Sequence, residues 1–359
     1  VSEMNKLVNC GLENRFGTNC LKWDGLKSRF GNENLIAMWV ADMDFKAPQP
    51  VIDALKERVN HGIFGYNIIP DSYYEAFINW EKEKHGYNVK KEWIRFSPGV
   101  VPALFWFINI LTNPGDSCIV MGPVYYPFHD AIKENERKLI FNNLKNDNGI
   151  YTIDFEKFEE DIIENQVKLF ILSSPHNPIG RVWTKEELKR VLDICKANDV
   201  FVLADEIHQD IIIGDKKQIP AATIGNYDDI LVTLTAATKT FNLASCQNSF
   251  VVIPNDEIRE KFDKYYNSIG GDNGNVFGYI AVEAAYRYGE EWLKEILDKI
   301  RGNYEYTKRI LSNHLPHVVV SPLEGTYLAW YDFSYYIEEK DIKNFFQEKC
   351  NLAVDYGIW

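Results

Sequence analysis

The stretch that decides the fold is VFVLAD, residues 200–205, in which five apolar residues end in an aspartate. Four similar runs of strand-forming apolar residues occur along the chain. The segments between them have apolar residues at helical spacing, and this alternation is typical of a parallel sheet covered by helices. Because the runs are continuously apolar, we expect both faces of the sheet to be buried. The other runs are residues 117–121, 168–172, 230–234 and 249–253.

The segments between and around these runs carry helix signals. Thr184 lies three residues before Glu187, which predicts a capping box at the start of a helix that reaches Ala197. Two earlier helices are predicted at 50–59 and 71–85, the second stopping at Gly86. After residue 275 we expect a helix through Val282 and Ala285, a longer helix over 290–314, and strands at 318–320 and 326–331.

The change of character after residue 275 indicates two domains, as the length of 359 residues also suggests. We predict a large domain over residues 45–285. The smaller domain would combine residues 1–44 with residues 286–359, and its mixture of helices and short strands makes it an α+β unit.

Composition narrows the class of protein. The chain has 46% apolar residues, 52 acidic against 39 basic residues and a net charge of -13, which argues against nucleic-acid binding. Its six cysteines are scattered, as expected of free thiols in a reducing cytosol. No apolar stretch approaches the roughly 18 residues that cross a bilayer, and the first 12 residues lack the pattern of a secretion signal. We expect a cytoplasmic enzyme that binds no membrane and no metal.

The chemistry concentrates where the apolar runs end. Lys239 follows the run 230–234, Asp205 ends the run 200–204, and Asn177 lies in a Pro- and Gly-rich turn after the run 168–172. Singly, these residues have plainer explanations as a solvated strand end, a cap and an Asx-turn. Together they are a lysine able to form a Schiff base, an aspartate able to hold a pyridinium proton and an amide able to bond a phenolic oxygen. Pyridoxal 5'-phosphate (PLP) needs this set from a protein.

Two further turns fit the same cofactor. The segment 97–101 joins a short strand to an apolar helix predicted to begin near Pro102, and free N–H groups at such a helix start suit a phosphate. The turn after residue 121 places Tyr125, with Tyr126 as the alternative, where an aromatic ring could stack on the cofactor.

These motifs, taken in order, resemble the fold-type I PLP enzymes of the aminotransferase class I/II superfamily. They are SPGVVPAL (97–104), GPVYYPF (122–128), SSPHNPIGR (173–181), ADEIHQD (204–210) and TKTFNLA (238–244). Within the superfamily, MWVADMDF (38–45), with Arg15 and Thr18 before it and Tyr66 after it, resembles the MalY/PatB group of cystathionine β-lyase type C–S lyases. The resemblance implies an aspartate aminotransferase-like α/β fold: a mostly parallel seven-stranded sheet with helices on both faces, plus a smaller α+β domain.

The resemblance also implies roles for individual residues. Lys239 would form the Schiff base, Asp205 would pair with the pyridine nitrogen, Asn177 would bond the ring oxygen O3' and Tyr125 would stack on the ring. Trp39 and Asn177 would face the substrate, and His208 would support the cofactor as a hydrogen-bonded neighbour. The phosphate would be held by the amides of Val100 and Val101, the hydroxyl of Thr238, and Tyr66 from a second subunit, which implies a homodimer.

Two positions depart from the superfamily pattern. Gln247 occupies the place of an arginine that grips the phosphate in aspartate aminotransferase relatives, as expected of the C–S lyase branch. The chain stops at Trp359, before the segment expected to carry the arginine for the substrate carboxylate. We therefore expect a truncated chain and name no arginine for that role. Asp42 and Asp44 are interpreted as turn-forming residues.

The predicted activity is α,β-elimination from cystathionine or a related cysteine S-conjugate, which yields a thiol such as homocysteine, pyruvate and ammonia. A thiolate, whose thiol has a pKa of about 8.5, is a tolerable leaving group. The first alternative is an amino-acid aminotransferase, since the same residues serve both reactions. A regulatory binding protein that acts independently of catalysis, and a scaffold that no longer holds cofactor, are the alternatives from other classes.

Overall fold

A computed structural model describes residues 13–358 of the protein. The strands in chain order are β1 (Ile36–Met38), β2 (Ile94–Ser97), β3 (Ser117–Gly122), β4 (Lys138–Asn143), β5 (Lys145–Asp147), β6 (Ile150–Thr152), β7 (Val167–Ser173), β8 (Phe201–Asp205), β9 (Leu231–Thr235), β10 (Ser249–Val252), β11 (Val319–Val320), β12 (Tyr331–Asp332) and β13 (Leu352–Val354).

The α-helices, in the same order, are α1 (Leu21–Asp24), α2 (Leu26–Phe30), α3 (Gln49–His61), α4 (Asp71–Trp80), α5 (Val100–Leu111), α6 (Pro127–Glu134), α7 (Phe155–Glu164), α8 (Lys185–Ala197), α9 (Ala237–Thr240), α10 (Asp256–Ser268), α11 (Val276–Tyr288), α12 (Glu290–His314) and α13 (Ile342–Asn344). Two π-helical turns cover Glu81–His85 and Phe345–Lys349. Short 3₁₀ turns cover Lys91–Trp93, Ala221–Thr223, Ala244–Cys246 and Glu339–Asp341.

The main sheet has seven strands in the order β2-β10-β9-β8-β7-β3-β4. The pairs formed by β9, β8, β7, β3 and β4 are parallel, whereas β10 runs antiparallel to both of its neighbours. This confirms the predicted mostly parallel seven-stranded sheet. The parallel strands therefore bring their carboxyl ends to one edge, where open α/β sheets bind ligands.

Both faces of the sheet are buried, as the apolar runs predicted. In β7, Phe170 faces one layer and packs with Phe158 of α7, while Leu169 and Ile171 face the opposite layer, which includes Phe107 of α5. Alternation follows from the two-residue period of a strand. Burial of each such side chain contributes about 1.5–3 kcal/mol, so the strands are held firmly in both layers.

The helix predictions hold with local differences. Thr184 and Glu187 form the predicted capping box at the start of α8. The predicted helix 71–85 is confirmed in its bounds and stops at Gly86, but its last turn, Glu81–His85, is π-helical and not α-helical. Helix α5 begins at Val100, two residues before the predicted start, because Pro102 can occupy the first turn, where an N–H is dispensable.

The first and last parts of the described chain meet in a small layer. β1 pairs in parallel with β13, and a separate apolar cluster that includes Leu26, Phe30 and Trp39 covers them. This contact is compatible with the predicted two-domain division, which stays a prediction. The predicted strand 326–331 is wrong: only Tyr331–Asp332 is extended and paired. Thr326 has a φ of 67°, which strands do not use, and its N–H bonds Ile211 O instead.

Within residues 13–358, no helix is both long enough and apolar enough to cross a membrane.

Candidate active site

Five loops meet at the carboxyl edge of the sheet. They follow β2, β3, β7, β8 and β9. Strand register places Asp205, the last residue of β8, opposite Ser173 of β7 and Leu234 of β9. The loops therefore carry the predicted residues to one place, and their side chains are Tyr125, Asn177, Asp205, His208 and Lys239.

Lys239 lies in the four-residue helix α9, directly after β9. Its Nζ donates a hydrogen bond of 2.6 Å to the backbone carbonyl of Ala41. Burial lowers the pKa of this amine, and the nearby carboxylates of Asp42 and Asp205 oppose the shift. A partly buried lysine with a lowered pKa is suited to act as a nucleophile or a base near neutral pH.

Asp205 is buried beside this lysine. Its carboxylate accepts the Ile207 N–H at 3.1 Å, and burial raises its pKa to about 7, against which Lys239 acts electrostatically. The two side chains therefore lie on the same side of the sheet edge, as the sequence predicted. A buried carboxylate with one backbone donor is well placed to receive a further N–H from a bound molecule.

Asn177 and Tyr125 are held together by their backbones. The Tyr125 N–H donates to the Asn177 carbonyl at 3.1 Å, and the Asn177 N–H donates to Ser173 Oγ at 3.1 Å. Asn177 is buried, and Tyr125 is half-buried against Phe128. Burial raises the pKa of the Tyr125 hydroxyl, with Asp205 among the nearby charges that add to the rise. The ring of Tyr125 thus lies near the Asp205 carboxylate.

His208 is buried and is neutral at neutral pH. Burial lowers its pKa to about 3, and Lys239 contributes in the same direction. Its Nδ1 atom is buried and has no hydrogen-bond partner among the described residues. The ring edge lies against Tyr327 at a centroid distance of 5.7 Å. An unpaired buried nitrogen is costly, which favours a ligand or water at this point.

The predicted phosphate-binding groups surround the start of α5 and of α9. The first backbone hydrogen bond of α5 runs from Ala103 N to Gly99 O. The N–H groups of Val100 and Val101 lie before it, in the first turn, where N–H groups have no partner within the helix. Thr238 is buried in α9, next to Lys239. Gly99 has an extended φ of -176°, and a Cβ there would meet the Pro102 ring at 3.3 Å, so packing explains this glycine better than backbone strain.

Three other predicted positions have different surroundings. The Trp39 indole is buried in the small apolar layer and donates to Lys22 O at 2.8 Å, so its substrate role stays a prediction without support from this packing. Tyr66 is fully exposed in the single chain. Gln247 is exposed in a left-handed conformation with a φ of 48°.

An ion cluster that sequence reasoning missed lies beside Lys239. Arg15 binds Asp42 through two nitrogens at 2.8 and 2.9 Å and Asp44 at 2.8 Å, and Lys22 lies within 4 Å of both carboxylates. These aspartates were interpreted as turn-forming residues, and the structure adds that both carboxylates are ion-paired. The turn-forming interpretation stays a prediction. Arg15, which precedes these aspartates in the subgroup motif, was the signal available in the sequence.

The cluster fixes a strap, defined as residues 39–45, across the lysine loop. Asn242 clamps the strap from below: its side chain accepts from Met43 N at 3.0 Å and donates to Met43 O and Phe45 O at 2.8 Å. Tyr327 donates to Ala41 O at 2.7 Å, so this carbonyl receives both the tyrosine hydroxyl and Lys239. The strap therefore sets the position of the lysine amine.

Comparison with known proteins identifies the family of this chain. The model of the aminotransferase class I and II family matches residues 33–358. The chain belongs to this family. It is 41% identical to cystathionine beta-lyase PatB of Bacillus subtilis over 347 residues, covering 96% of this chain and 90% of that protein. Protein MalY of Escherichia coli is 30% identical over 323 residues, covering 89% of this chain and 82% of that protein.

A solved structure shares the fold of this family member closely. The PLP-bound C–S lyase of Staphylococcus hominis superposes with a TM-score of 0.89 at 35% identity, covering 95% of this chain and 87% of that one. The aspartate aminotransferase-like fold and the resemblance to the MalY/PatB group are thereby confirmed.

Proposed function

We propose that this protein is a PLP-dependent C–S β-lyase that cleaves cystathionine or a related cysteine S-conjugate to a thiol, pyruvate and ammonia. The observation that carries the proposal is the convergence of Lys239, Asp205 and Asn177 at one edge of the sheet. It occurs in a chain that is 41% identical to a cystathionine β-lyase. Neither feature alone has the same weight, since the fold hosts several reactions.

The residues present fit PLP. Asp205 is a carboxylate whose pKa is raised by burial, and a protonated pyridine nitrogen would give it a donor that offsets this burial. The unpaired Nδ1 of His208 lies in the same buried region, and the first turn of α5 offers N–H groups to a phosphate. Lys239 would hold the cofactor covalently, Asp205 its ring nitrogen, Asn177 its phenolic oxygen and Tyr125 one ring face.

When bound, PLP supplies an electron sink for the pair released as the substrate loses its α-proton. Lys239 would take that proton, and burial favours this because it keeps the amine pKa below its ordinary value. The Ala41 carbonyl, 2.6 Å from Nζ, gives the amine a fixed acceptor between proton transfers. His208, neutral because its pKa is lowered to about 3, adds no competing positive charge beside Asp205.

The decisive experiment separates elimination from amino-group transfer. Purified protein loaded with PLP is given cystathionine, and homocysteine, pyruvate and ammonia are quantified together. Lyase activity predicts equal amounts of all three without added keto acid. Lys239→Ala should abolish release, with loss of at least about a thousandfold in rate. Tyr356→Phe, in the small layer, is a matched control expected to keep activity. No pyruvate from the wild-type protein would reject the proposal.

An aminotransferase is the second candidate, because the matching family is named for that reaction. A keto acid added to the same assay should then accept the amino group, and the product would be a new amino acid with no thiol. Both reactions use the same proton transfer by Lys239, so the product ratio decides between them. The regulatory and scaffold alternatives stay predictions.

We further propose a homodimer in which Tyr66 reaches the partner's site, and a cytoplasmic location. Tyr66 lies in an exposed apolar segment with Ile63, Phe64 and Ile68, a combination that monomers rarely leave uncovered. The described cysteines are all unpaired, in keeping with a reducing compartment.

Hybrid dimers test this arrangement directly. Lys239→Ala and Tyr66→Ala proteins, each inactive alone, are mixed and allowed to exchange subunits. If sites are shared, half of the dimers are hybrids with one intact site each, so about a quarter of wild-type activity should return. A monomer by light scattering, or no recovery despite proven exchange, would reject the shared site.

A further inference from the structure

Asp210 is a buried carboxylate that joins three elements behind the active site. Its Oδ1 accepts from Trp80 Nε1 at 2.9 Å and from His85 Nε2 at 2.7 Å, and its Oδ2 accepts from Thr240 Oγ1 at 2.8 Å. The side chains of Asp210 and His85 are only 3% and 6% exposed. Thr240 directly follows Lys239. One anion therefore connects the helical segment 71–85 to the residue beside the catalytic amine.

The pair is ionised at neutral pH. Burial disfavours the charge on Asp210, but the hydrogen bond and charge of His85 outweigh it and hold the Asp210 pKa below its ordinary value. Burial likewise opposes protonation of His85, but Asp210 raises the His85 pKa to about 9. A buried pair of this kind is costly to break, because either charge left alone is strongly disfavoured.

A second set of bonds runs alongside. Gln209 Nε2 donates to Glu81 Oε1 at 2.6 Å and to Thr235 Oγ1 at 3.0 Å, and Glu206 N donates to Leu234 O at 2.8 Å. The segments 205–210 and 234–240 are thus joined at several points along their length. Asp205 begins the first segment and Lys239 lies near the end of the second, so these bonds set the separation of the two.

The two residues that brace this network come from an unusual turn. Glu81 and His85 are the first and last residues of the π-helical turn that follows α4. Such turns are rare and frequently occur at functional sites, since they re-aim side chains that a regular helix would direct elsewhere. Gly86, with a φ of 69°, ends the turn in a left-handed conformation. The π-helical turn therefore supplies both Glu81 and His85 to the hydrogen bonds with Gln209 and Asp210.

We propose that the buried His85–Asp210 pair is a positioning device that holds Thr240, and through it Lys239, at a set distance from Asp205. This inference rests on the proposed roles of Lys239 and Asp205. His85 and Asp210 act through Thr240 and are positioning residues. Their loss moves the lysine amine relative to the cofactor ring, and a displacement of about 1 Å can cost a hundredfold in rate.

The test uses variants that remove different parts of the His85–Asp210 interaction. His85→Leu removes the donor, His85→Gln keeps a neutral N–H near the Nε2 position, and Asp210→Asn removes the negative charge. Thr240→Val is a mild, nearly isosteric change that removes only the hydroxyl, so it serves if the others fail to fold. Phe158→Leu, in a buried layer on another part of the sheet, is the control for reduced stability.

Three measurements are made on each PLP-loaded variant: melting temperature, the PLP dissociation constant, and the pH midpoint of the visible absorbance of the lysine-bound cofactor. The ionisable groups that face Lys239 are Asp42, Asp205 and His208, and those that face His85 are Glu81, Glu206 and Asp210. Thr240→Val changes none of these groups, so a midpoint that moves in this variant reports a moved lysine. His85→Leu also removes a charge that lowers the pKa of Glu81, Glu206 and Asp210, so its midpoint is interpreted together with that of Thr240→Val.

We expect the midpoint to move by about half a pH unit or more in His85→Leu and Thr240→Val. The PLP dissociation constant should rise in both, and His85→Gln should show smaller changes than His85→Leu because it keeps a neutral donor to Asp210. Phe158→Leu should lower the melting temperature and leave the midpoint in place. Variants that lose stability with an unchanged midpoint and PLP affinity would show a purely structural pair and overturn the inference. A wild-type protein that stays colourless with PLP would instead reject the proposed function, and this inference with it.

Discussion

Replacing Asp205 by asparagine should make the cofactor-free protein more stable while it disables the site. The Asp205 carboxyl is buried, accepts one backbone N–H and has its pKa raised from 3.8 to about 7 by burial. Asparagine has nearly the same shape and carries no charge. A residue kept for chemistry is expected to cost stability where its cofactor partner is missing.

The magnitude follows from linkage. A rise in pKa from 3.8 to about 7 corresponds to a penalty of about 4 kcal/mol once the carboxyl is ionised in the folded protein. Below about pH 4 the group is protonated in both folded and unfolded chains, so no penalty exists. The penalty grows between pH 4 and 7 and is complete above pH 7. Asp205→Asn should therefore gain up to about 4 kcal/mol at pH 8 and little at pH 4.5.

Urea denaturation of cofactor-free protein at several pH values between 4.5 and 8 measures this difference. Asp193→Asn is the control, because Asp193 is ion-paired with Lys189 and its pKa is lowered, so its loss should not stabilise the protein at pH 8. Saturating PLP should narrow or reverse the order of wild type and Asp205→Asn. A gain that is absent, or that is the same at every pH, would refute the electrostatic reasoning.

Three further changes give separate tests. Gln247→Arg should lower the PLP dissociation constant by up to about tenfold, because a guanidinium adds charge-assisted hydrogen bonds to a phosphate. Absorbance titration measures this constant. An unchanged affinity would count against a phosphate near this position. Arg15→Met should lower the free energy of unfolding, measured in urea, by about 2 kcal/mol, because it removes the bidentate partner of Asp42 and one donor to Asp44. Arg15→Lys should recover part of the loss. Phe77→Ala should lower the free energy of unfolding by about 3–5 kcal/mol, because the ring is fully buried and stacks on Phe250 at a centroid distance of 3.8 Å. The PLP absorbance per folded molecule should not change. A smaller loss of free energy would mean that the surrounding layer collapses into the space.

Much of the sheet could be predicted because its strands are buried on both faces. The run 200–204 is continuously apolar and ends in a charged residue, so both its strand character and its end were visible in the sequence. Asn177 and Lys239 were found for the same reason: each follows an apolar run, and parallel strands bring such positions to one edge. Their exact roles came from the family resemblance and stay proposals.

The parts that could not be predicted depend on contacts between distant segments. The acceptor of the Lys239 amine is the backbone carbonyl of Ala41, and a carbonyl has no signature in the sequence. The π-helical turn at 81–85 has the residue pattern of an ordinary helix end, so its altered hydrogen bonding was invisible. Thr326 looked like a strand residue by propensity, but its backbone bond to Ile211 forces a left-handed conformation.

The pairing of β1 with β13 has a consequence for synthesis of the chain. Ile36 and Leu352 are partners in this pair although 316 positions separate them. At about 5–20 residues per second, a ribosome needs roughly 15–60 s to deliver the second strand after the first has emerged. During that interval the edge of β1 and the apolar side chains around it lack their partner strand. The large sheet layer of the nascent chain, or a chaperone, would have to cover them. Slower translation would prolong that exposure and should increase aggregation.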